Sequence, residues 1–132
     1  MADMMQFDLV SPERMLASFE AQEIEVPGAE GDFTAMANHA ALVTTMRPGV
    51  LTVKGASETS EYVVTGGFVE VSATAVSVLA ENAVPKADVS RDIVDAMIEA
   101  AQTAVSDATD QMQDSADKRL ADTLALVDLL GL

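Results

Sequence analysis

The first two thirds of the chain alternates between apolar and polar residues with a period of two, which is typical of half-buried β-strands. Turn formers separate short runs that are rich in β-branched residues. Seven strands are predicted: Gln6–Val10, Phe19–Val26, Asp32–Met36, Val50–Lys54, Glu61–Val64, Phe68–Ser72 and Val76–Ala80. Many short strands at close spacing favour an antiparallel β-sandwich or barrel.

The alternation is clearest in the last two of these strands. Val69 and Val71 share one face of their strand, and Val76 and Val78 share one face of the next. The segment Ser72–Ala75 is the predicted hairpin connection between them. It contains no Asn-Gly or other glycine pair, so the sequence leaves its turn type open.

After Pro85 the apolar period changes to about 3.6, which is typical of amphipathic helices. Asp88 or Ser90 can cap the first helix, and Gly131 is placed to end a second helix predicted over about Asp114–Leu130. The polar and acidic segment Ser106–Ser115 is predicted to contain the turn. The predicted stripe of the first helix is Ile93, Met97, Ala100 and Ala104 beside Val94, Ile98, Ala101 and Val105, and that of the second is Ala116, Leu120, Leu124 and Val127.

Two domains follow from this change of period: a β-sandwich at residues 1–85 and an antiparallel two-helix hairpin at residues 86–132. Many positions of the predicted helix stripes are alanines, which bury little apolar area. We therefore expect the hairpin to be loosely held and movable.

Charge narrows the possible partners of the chain. Its 132 residues carry a net charge of -15, divided as -9 over residues 1–85 and -6 over residues 86–132. Such a surface repels the phosphates of nucleic acids and anionic lipids, so neither binding to nucleic acid nor direct lipid insertion is expected. Basic protein surfaces are the favoured partners, with solubility alone as the other explanation of the charge.

The residues offer little for catalysis. There is no cysteine and one histidine, His39, which leaves a zinc site or a nucleophile–base pair improbable. The acidic pairs Glu23/Glu25 and Asp114/Asp117 lie outside any calcium-loop pattern, and Gly28–Gly31 is too short for a phosphate loop. No catalytic residue, metal or cofactor is expected. The chain has neither a signal sequence nor an apolar run of membrane length, so a soluble cytoplasmic protein is predicted.

Six motifs along the chain are more specific than its composition. In order, they are Phe7–Glu13, Pro27–Phe33, Asn38–Leu42, Arg47–Leu51, Thr65–Val71 and Val76–Glu81. In their order, spacing and total length, they resemble the epsilon subunits of bacterial F-type ATP synthases, the counterparts of the mitochondrial delta subunit.

The resemblance implies an N-terminal β-sandwich, a C-terminal helical hairpin and a non-catalytic role in the central stalk, or rotor. The sandwich would bind the gamma subunit and rest on the polar loops of the c-ring, coupling proton flow to ATP synthesis at the cytoplasmic face of the bacterial inner membrane. The implied ring-facing residues are Glu30, Gly31, Asp32 and His39. The implied gamma or stalk contacts are Ser11, Ala40, Ala41 and Leu42.

The chain departs from the family pattern in two places. Ala41 stands where many relatives have a proline, which removes a rigid turn residue. The hairpin also lacks the Arg-Ala pair of an ATP-binding motif, and its only bases are Lys86, Arg91, Lys118 and Arg119. No ATP binding is therefore expected. Because the second helix is acidic, any contact of the hairpin with the catalytic head is expected to inhibit ATP hydrolysis weakly or not at all.

Two alternatives belong to other classes of protein. One is a stand-alone β-sandwich adaptor or regulatory protein with a mobile hairpin, which would purify without a gamma subunit. The other is a small enzyme with a carboxylate site on the sandwich. That enzyme would need two carboxylates converging in a pocket, with a perturbed pKa.

Overall fold

The computed structural model describes residues 4–131. Two compact units divide the chain, Met1–Ala87 and Asp88–Leu132. The described part of the first unit contains ten strands, and a short 3-10 turn at Lys86–Asp88 spans the boundary to the second unit. The strands are β1 Met5–Ser11, β2 Arg14–Ala21, β3 Glu23–Gly28, β4 Gly31–Met36, β5 Leu42–Met46, β6 Gly49–Lys54, β7 Thr59–Val64, β8 Gly67–Val71, β9 Ala75–Ala80 and β10 Ala83–Pro85.

The strands form two sheets that are joined at one point. Sheet 1 has the order β2-β1-β9-β8-β5, and sheet 2 has the order β10-β7-β6-β3-β4. A single pair, Gly28 with Met46, links β3 to β5 and so connects the sheets. All pairings are antiparallel except that of β1 with β9, which is parallel. The predicted β-sandwich is confirmed, with this one parallel pairing added.

The core lies between the two sheets and follows the predicted alternation. Met5, Phe7 and Leu9 of β1 are buried, while Gln6 between them is exposed. The Phe7 ring packs against that of Phe19 with 5.4 Å between centroids. Other fully buried side chains come from both sheets: Ile24, Val26, Leu51, Val53, Val64, Val69, Val71, Val76 and Val78. An aliphatic core of this kind needs no tryptophan, in keeping with the composition.

Three strand predictions need correction. The predicted strand Phe19–Val26 is wrong as one element, because the chain reverses at Gln22, whose amide donates to the Lys54 carbonyl at 2.7 Å. Strand β5 was missed because threonines fill two of its five positions and blur the contrast between its faces. Strand β10 was missed because it has only three residues and ends in a proline, which a strand at the edge of a sheet tolerates.

The predicted hairpin between β8 and β9 is present, and a side chain closes its turn. The Ser72 amide donates to the Ala75 carbonyl at 2.8 Å. The Ser72 hydroxyl oxygen accepts from the amides of Thr74 and Ala75 at 3.4 and 3.1 Å. Serine thus supplies the local hydrogen bonds for this turn, which has no glycine.

The second unit contains two helices, α1 Arg91–Asp107 and α2 Gln113–Leu130. Of the two predicted caps, Ser90 is the one used, with its hydroxyl accepting from the Ile93 amide at 3.4 Å. Gly131 ends α2 in the left-handed conformation at φ 71°, as predicted.

The predicted helix stripes are correct only in part. Val94 and Ala101 are buried on α1, whereas Ala100 and Ala104 are exposed. The prediction is therefore wrong for the alanines of the first α1 stripe, and Val94 and Ala101 of the second stripe are the buried residues.

On α2, Leu124 is 45% exposed and Thr123 is buried in its place, beside Leu126 and Val127. The Thr123 hydroxyl donates to the Arg119 carbonyl at 2.8 Å. This bond explains how a polar side chain can replace the expected leucine.

Candidate functional site

Five two-residue connections gather at one end of the sandwich, which we name the Glu30 end. The strand registers place the ends of β1, β3, β5, β7 and β9 there, together with the starts of the strands that follow each of them. The connections are Pro12–Glu13, Ala29–Glu30, Arg47–Pro48, Thr65–Gly66 and Glu81–Asn82. Connections this short leave the backbone little freedom.

Backbone hydrogen bonds tie four of these connections together in two pairs. The Ala29 amide donates to the Thr45 carbonyl at 2.9 Å, and the Arg47 amide donates to the Pro27 carbonyl at 3.0 Å. On the other side, the Glu81 amide donates to the Gly66 carbonyl at 2.9 Å. Most of the Glu30 end is therefore made of short connections that are held to a neighbour by backbone hydrogen bonds.

The β3–β4 turn forms the most prominent part of this end. A Cβ atom at Gly28 would lie 2.5 Å from the Gly31 carbonyl oxygen, so the tight approach of the two strands requires glycine there. Arg47 braces the turn from the neighbouring connection. Its Nη1 donates to the Gly28 carbonyl at 2.6 Å, and its Nη2 forms an ion pair with the Asp32 carboxylate.

Because Arg47 pairs with only one of the two acids of the turn, Asp32 and Glu30 have different roles. Asp32 is neutralised by the arginine, so part of its hydrogen-bonding capacity is used inside the chain. Glu30 is exposed and has no hydrogen bond or ion pair with any residue in the range 4–131. Glu30 is consequently the acid of the turn that is available to a partner.

His39 is not in this turn. Strand β4 begins at Gly31 and ends at Met36, so the connection that carries His39 leaves from the opposite end of the strand, which we name the His39 end. The His39 Nδ1 donates to the Ala40 carbonyl at 2.7 Å, and its ring lies 6.4 Å from the Phe33 ring. The four residues implied to face the ring are thus distributed over two connections.

The implied gamma contacts are also divided between the two ends. Leu42 begins β5 and is level with Phe7 through the pairings across sheet 1. Ser11 ends β1 at the Glu30 end, where its hydroxyl donates to the Arg14 carbonyl at 3.3 Å. Ala40 and Ala41 are exposed at the His39 end, next to Leu42. All four residues therefore border sheet 1 without forming one cluster.

The outer face of sheet 1 carries a feature that the sequence reasoning did not find. Phe68, Leu79, Val10 and Met15 are successive cross-strand neighbours on β8, β9, β1 and β2. We name these four residues the apolar row. Phe68, Leu79 and Met15 are 56%, 51% and 59% exposed. A continuous exposed apolar strip of this kind is characteristic of a protein–protein interface.

The charges on the outward positions of sheet 1, beside the apolar row, are all negative. Asp8, Glu20 and Glu70 point outward from sheet 1, and the one base in its five strands is Arg14, at the start of β2. Within residues 4–131 none of these three acids has an ion pair.

Sheet 2 differs in this respect. Its lysine at position 54 lies 3.4 Å from Glu25, and Lys86 lies 3.5 Å from Glu61 of the same sheet. Within residues 4–131, Glu25 and Glu61 of sheet 2 are therefore ion-paired, although Glu23 is not, whereas none of the three acids on the outer face of sheet 1 is ion-paired.

Asp8 is the most organised of the acids on sheet 1. Its Oδ1 accepts from the Ser18 hydroxyl at 2.6 Å and from the Gln6 side-chain amide at 3.0 Å. The Ser18 hydroxyl, followed by the Gln6 amide, lowers the pKa of Asp8 below its ordinary value of 3.8, because both groups donate to the charged form. The carboxylate therefore remains ionised at neutral pH.

A small enzyme with a carboxylate site on the sandwich would need two carboxylates that converge in a pocket. A hollow of about 230 Å³ beside the β3–β4 turn is lined by Glu25 and Asp32, among others. Each of these acids is already ion-paired, Glu25 to Lys54 and Asp32 to Arg47. Residues 4–131 contain no cluster of three metal-ligating side chains. The hollow therefore does not support the enzyme alternative.

The bases of the hairpin are also engaged within the chain. Arg91 pairs with Asp95 at 3.2 Å, and Lys118 pairs with Asp122 at 2.7 Å. A triphosphate would have to compete with these acids for its cationic partners. In the described part of the chain, no helix is long and apolar enough to cross a membrane.

A rigid sandwich end, an apolar row on one sheet and a separate helical hairpin define a binding subunit of a larger assembly. The sequence comparisons identify its family. The family model of the ATP synthase delta/epsilon chain β-sandwich domain matches residues 4–86. The ATP synthase epsilon chain of Cereibacter sphaeroides is 51% identical over 126 residues, covering 96% of each chain. That of Fuscovulum blasticum is 51% identical over 131 residues, covering 99% of each.

This chain belongs to the ATP synthase epsilon chain family, and it is thus a non-catalytic accessory subunit of the synthase, as its motifs indicated. Solved structures share its fold. A chain of the Euglena gracilis mitochondrial ATP synthase aligns with a TM-score of 0.72 at 21% identity, covering 96% of this chain and 81% of that one. A chain of the Tetrahymena thermophila central stalk and c-ring aligns with a TM-score of 0.70 at 20% identity, covering 96% of both.

Proposed function

We propose that this chain is the rotor subunit that links the gamma subunit to the c-ring in a proton-translocating F-type ATP synthase. The observation that carries the proposal is 51% identity to an epsilon chain over 96% of both proteins. In this role the Glu30 end faces the polar loops of the ring, and the outer face of sheet 1 faces gamma. The chain is peripheral at the cytoplasmic face of the bacterial inner membrane and transmits torque without catalysing a reaction.

The rigidity of the Glu30 end supports its assignment to the ring. A subunit that turns with the ring must transmit force without yielding, and five short connections, four of them hydrogen-bonded in pairs, suit this need. Glu30 offers an unpaired carboxylate to polar or basic loops, and Asp32 is held by Arg47 beside it. In this proposal His39 also contacts a partner, but it does so at the opposite end of β4, away from Glu30.

The exposed apolar row supports the assignment of sheet 1 to gamma. Gamma would cover Phe68, Leu79 and Met15, the three side chains of the row that are more than half exposed. Ser11 at one border of sheet 1 and Ala40–Leu42 at another then become contacts at the rim of the same interface. A central apolar patch with a polar rim is the usual anatomy of such interfaces.

Cross-linking tests the ring assignment directly, because the chain has no native cysteine. Glu30→Cys in the assembled enzyme is expected to cross-link to the c-subunit loop. Glu58→Cys is the matched control, since Glu58 is an exposed acid in the connection between β6 and β7 at the His39 end. The assignment is wrong if Glu30→Cys gives no ring product, or if both variants give equal amounts.

Co-purification separates the rotor role from the stand-alone adaptor. A tagged full-length chain that is expressed with the synthase subunits is expected to recover gamma in an amount equal to its own. Recovery of the chain without gamma, under conditions in which the synthase stays assembled, would favour the adaptor.

A further inference from the structure

Asp8 is held in one orientation on the outer face of sheet 1, in the middle of β1 and next to the edge strand β2. The Ser18 hydroxyl and the Gln6 amide both donate to its Oδ1, and the Gln6 amide also donates to the Ser18 hydroxyl at 2.9 Å. These bonds form a closed triangle that fixes the carboxylate. Its second oxygen, Oδ2, accepts no hydrogen bond from any residue in the described range 4–131. A charged acceptor is thus oriented with one oxygen left open.

The position of Asp8 relates this open oxygen to the apolar row. Asp8 precedes Val10 by two residues on β1, so both side chains lie on the same face, about 7 Å apart along the strand. Its cross-strand neighbours are Ser77 on β9 and Ser18 on β2. A partner that covers the apolar row therefore comes within reach of Asp8.

The chain provides no cation for this carboxylate. Asp8, Glu20 and Glu70 are the charged residues on the outward positions of sheet 1, and none of them has an ion pair within residues 4–131. On sheet 2, in contrast, Glu25 and Glu61 are each paired to a lysine. Charge complementarity consequently favours a partner surface with a basic side chain beside an apolar ridge.

We infer that Asp8 binds an arginine or lysine of the gamma subunit and fixes the position of gamma on the apolar row. The inference rests on the proposed function, because it takes gamma as the occupant of sheet 1. The apolar row supplies the buried area of the interface. Asp8 sets the orientation of gamma on that row, because a fixed carboxylate accepts a cationic donor in few orientations. Ser18 and Gln6 act through Asp8 as positioning residues.

Binding of the purified chain to the purified gamma subunit of the same enzyme, measured at several salt concentrations, tests the inference. Asp8→Asn keeps the shape of the side chain and removes its charge, so the Kd is expected to rise about tenfold and the salt dependence of binding to decrease. Ser18→Ala keeps the charge and removes one orienting donor, so a smaller rise of about threefold with unchanged salt dependence is expected.

Two further variants make the result decisive. Glu58→Gln changes the net charge by the same amount at the His39 end, outside sheet 1, and is expected to leave the Kd unchanged. Phe68→Ser tests the apolar row itself and is expected to weaken binding. If Phe68→Ser weakens binding while Asp8→Asn behaves like Glu58→Gln, the role of Asp8 is wrong and the gamma face stands. If neither Phe68→Ser nor Asp8→Asn weakens binding, both the inference and the assignment of sheet 1 to gamma are wrong.

Discussion

Arg47 holds the Glu30 end together at the scale of a single side chain. It bonds to the Gly28 carbonyl on one strand of the turn and to the Asp32 carboxylate on the other. Arg47→Ala removes both contacts and is expected to lower the free energy of unfolding by about 1 kcal/mol, because the pair with Asp32 is solvent-screened and the bond to Gly28 is only partly buried. Urea denaturation measures this loss.

Hydrogen exchange provides the local counterpart of that measurement. The Ala29 amide is expected to exchange faster in Arg47→Ala than in the native chain, while the Glu81 amide, which bonds to Gly66 at the same end, is expected to keep its rate. Arg47→Lys is the control that retains the charge. Its Ala29 exchange rate should be intermediate, because lysine cannot bind the Gly28 carbonyl and the Asp32 carboxylate with two separate nitrogens as arginine does. Equal rates at Ala29 in all three chains would contradict the bracing role.

The hydrogen bonds to Asp8 make a prediction about pH. The pKa of Asp8 in the folded chain lies below its ordinary value of 3.8, which also applies to the unfolded chain. The ionised carboxylate therefore stabilises the fold above that value, and this contribution is lost as the pH falls through the folded-state pKa. The stability difference between the native chain and Asp8→Asn is expected to be largest near neutral pH and to vanish in strong acid. A difference that grows on acidification would contradict this assignment.

At the scale of elements, the approach of β8 to β9 depends on one glycine. Gly67 has a φ of +136°, and a Cβ there would lie 2.1 Å from the Leu79 carbonyl oxygen. Gly31 has a similar φ of +142° with open space around it. Gly67→Ala is expected to cost about 3 kcal/mol or more and Gly31→Ala about 1 kcal/mol, since only the first adds a backbone clash to the strain. Thermal denaturation of both variants checks that Gly67→Ala loses more stability than Gly31→Ala. Equal losses would show that the positive φ alone, without the backbone clash, sets the cost of the substitution.

The two helices form an element of lower expected stability than the sheets. Few of their side chains are fully buried, and Ala101 contributes one of the buried positions on α1. At about 25 cal/mol per Å² of apolar area, alanine stabilises a helix contact less than leucine does. Opening free energies from hydrogen exchange are expected to be about 2 kcal/mol lower in α1 and α2 than in β8 and β9. Equal protection of helices and strands would contradict the loosely held hairpin.

The elements that the sequence predicted well are those with a local cause. Ser90 caps α1 through its own hydroxyl, and Gly131 ends α2 because it adopts a left-handed conformation. Strand β5 and the break at Gln22 depend on pairing with strands far along the chain, so the local pattern does not reveal them. Thr123 replaces Leu124 in the hairpin because its hydroxyl is satisfied by the helix backbone.

At the scale of the whole molecule, the family could be predicted because its motifs lie in fixed order along the chain. The apolar row could not, because it forms only when four strands come into register. A β-bulge between Leu9 and Val10 brings Val10 opposite Met15, and the parallel pairing of β1 with β9 brings Val10 beside Leu79. Neither the bulge nor the parallel pairing has a clear sequence pattern. The partner of Asp32 was hidden for the same reason, since Arg47 is distant in sequence.

The charge of the hairpin leads to a prediction for the assembled synthase. On α2 the bases Lys118 and Arg119 stand among four acids, and Lys118 is already paired with Asp122. Insertion of this acidic helix against acidic surfaces of the catalytic head would be opposed by like charges. Deletion of residues 88–132 is therefore expected to change ATP hydrolysis by less than about twofold, which corresponds to under half a kcal/mol in the activation barrier. The full-length double variant Lys118→Ala and Arg119→Ala, assayed in parallel, should show the same lack of effect with the hairpin still present. A severalfold rise in hydrolysis in either enzyme, with the amount of bound subunit unchanged, would show that the hairpin inhibits.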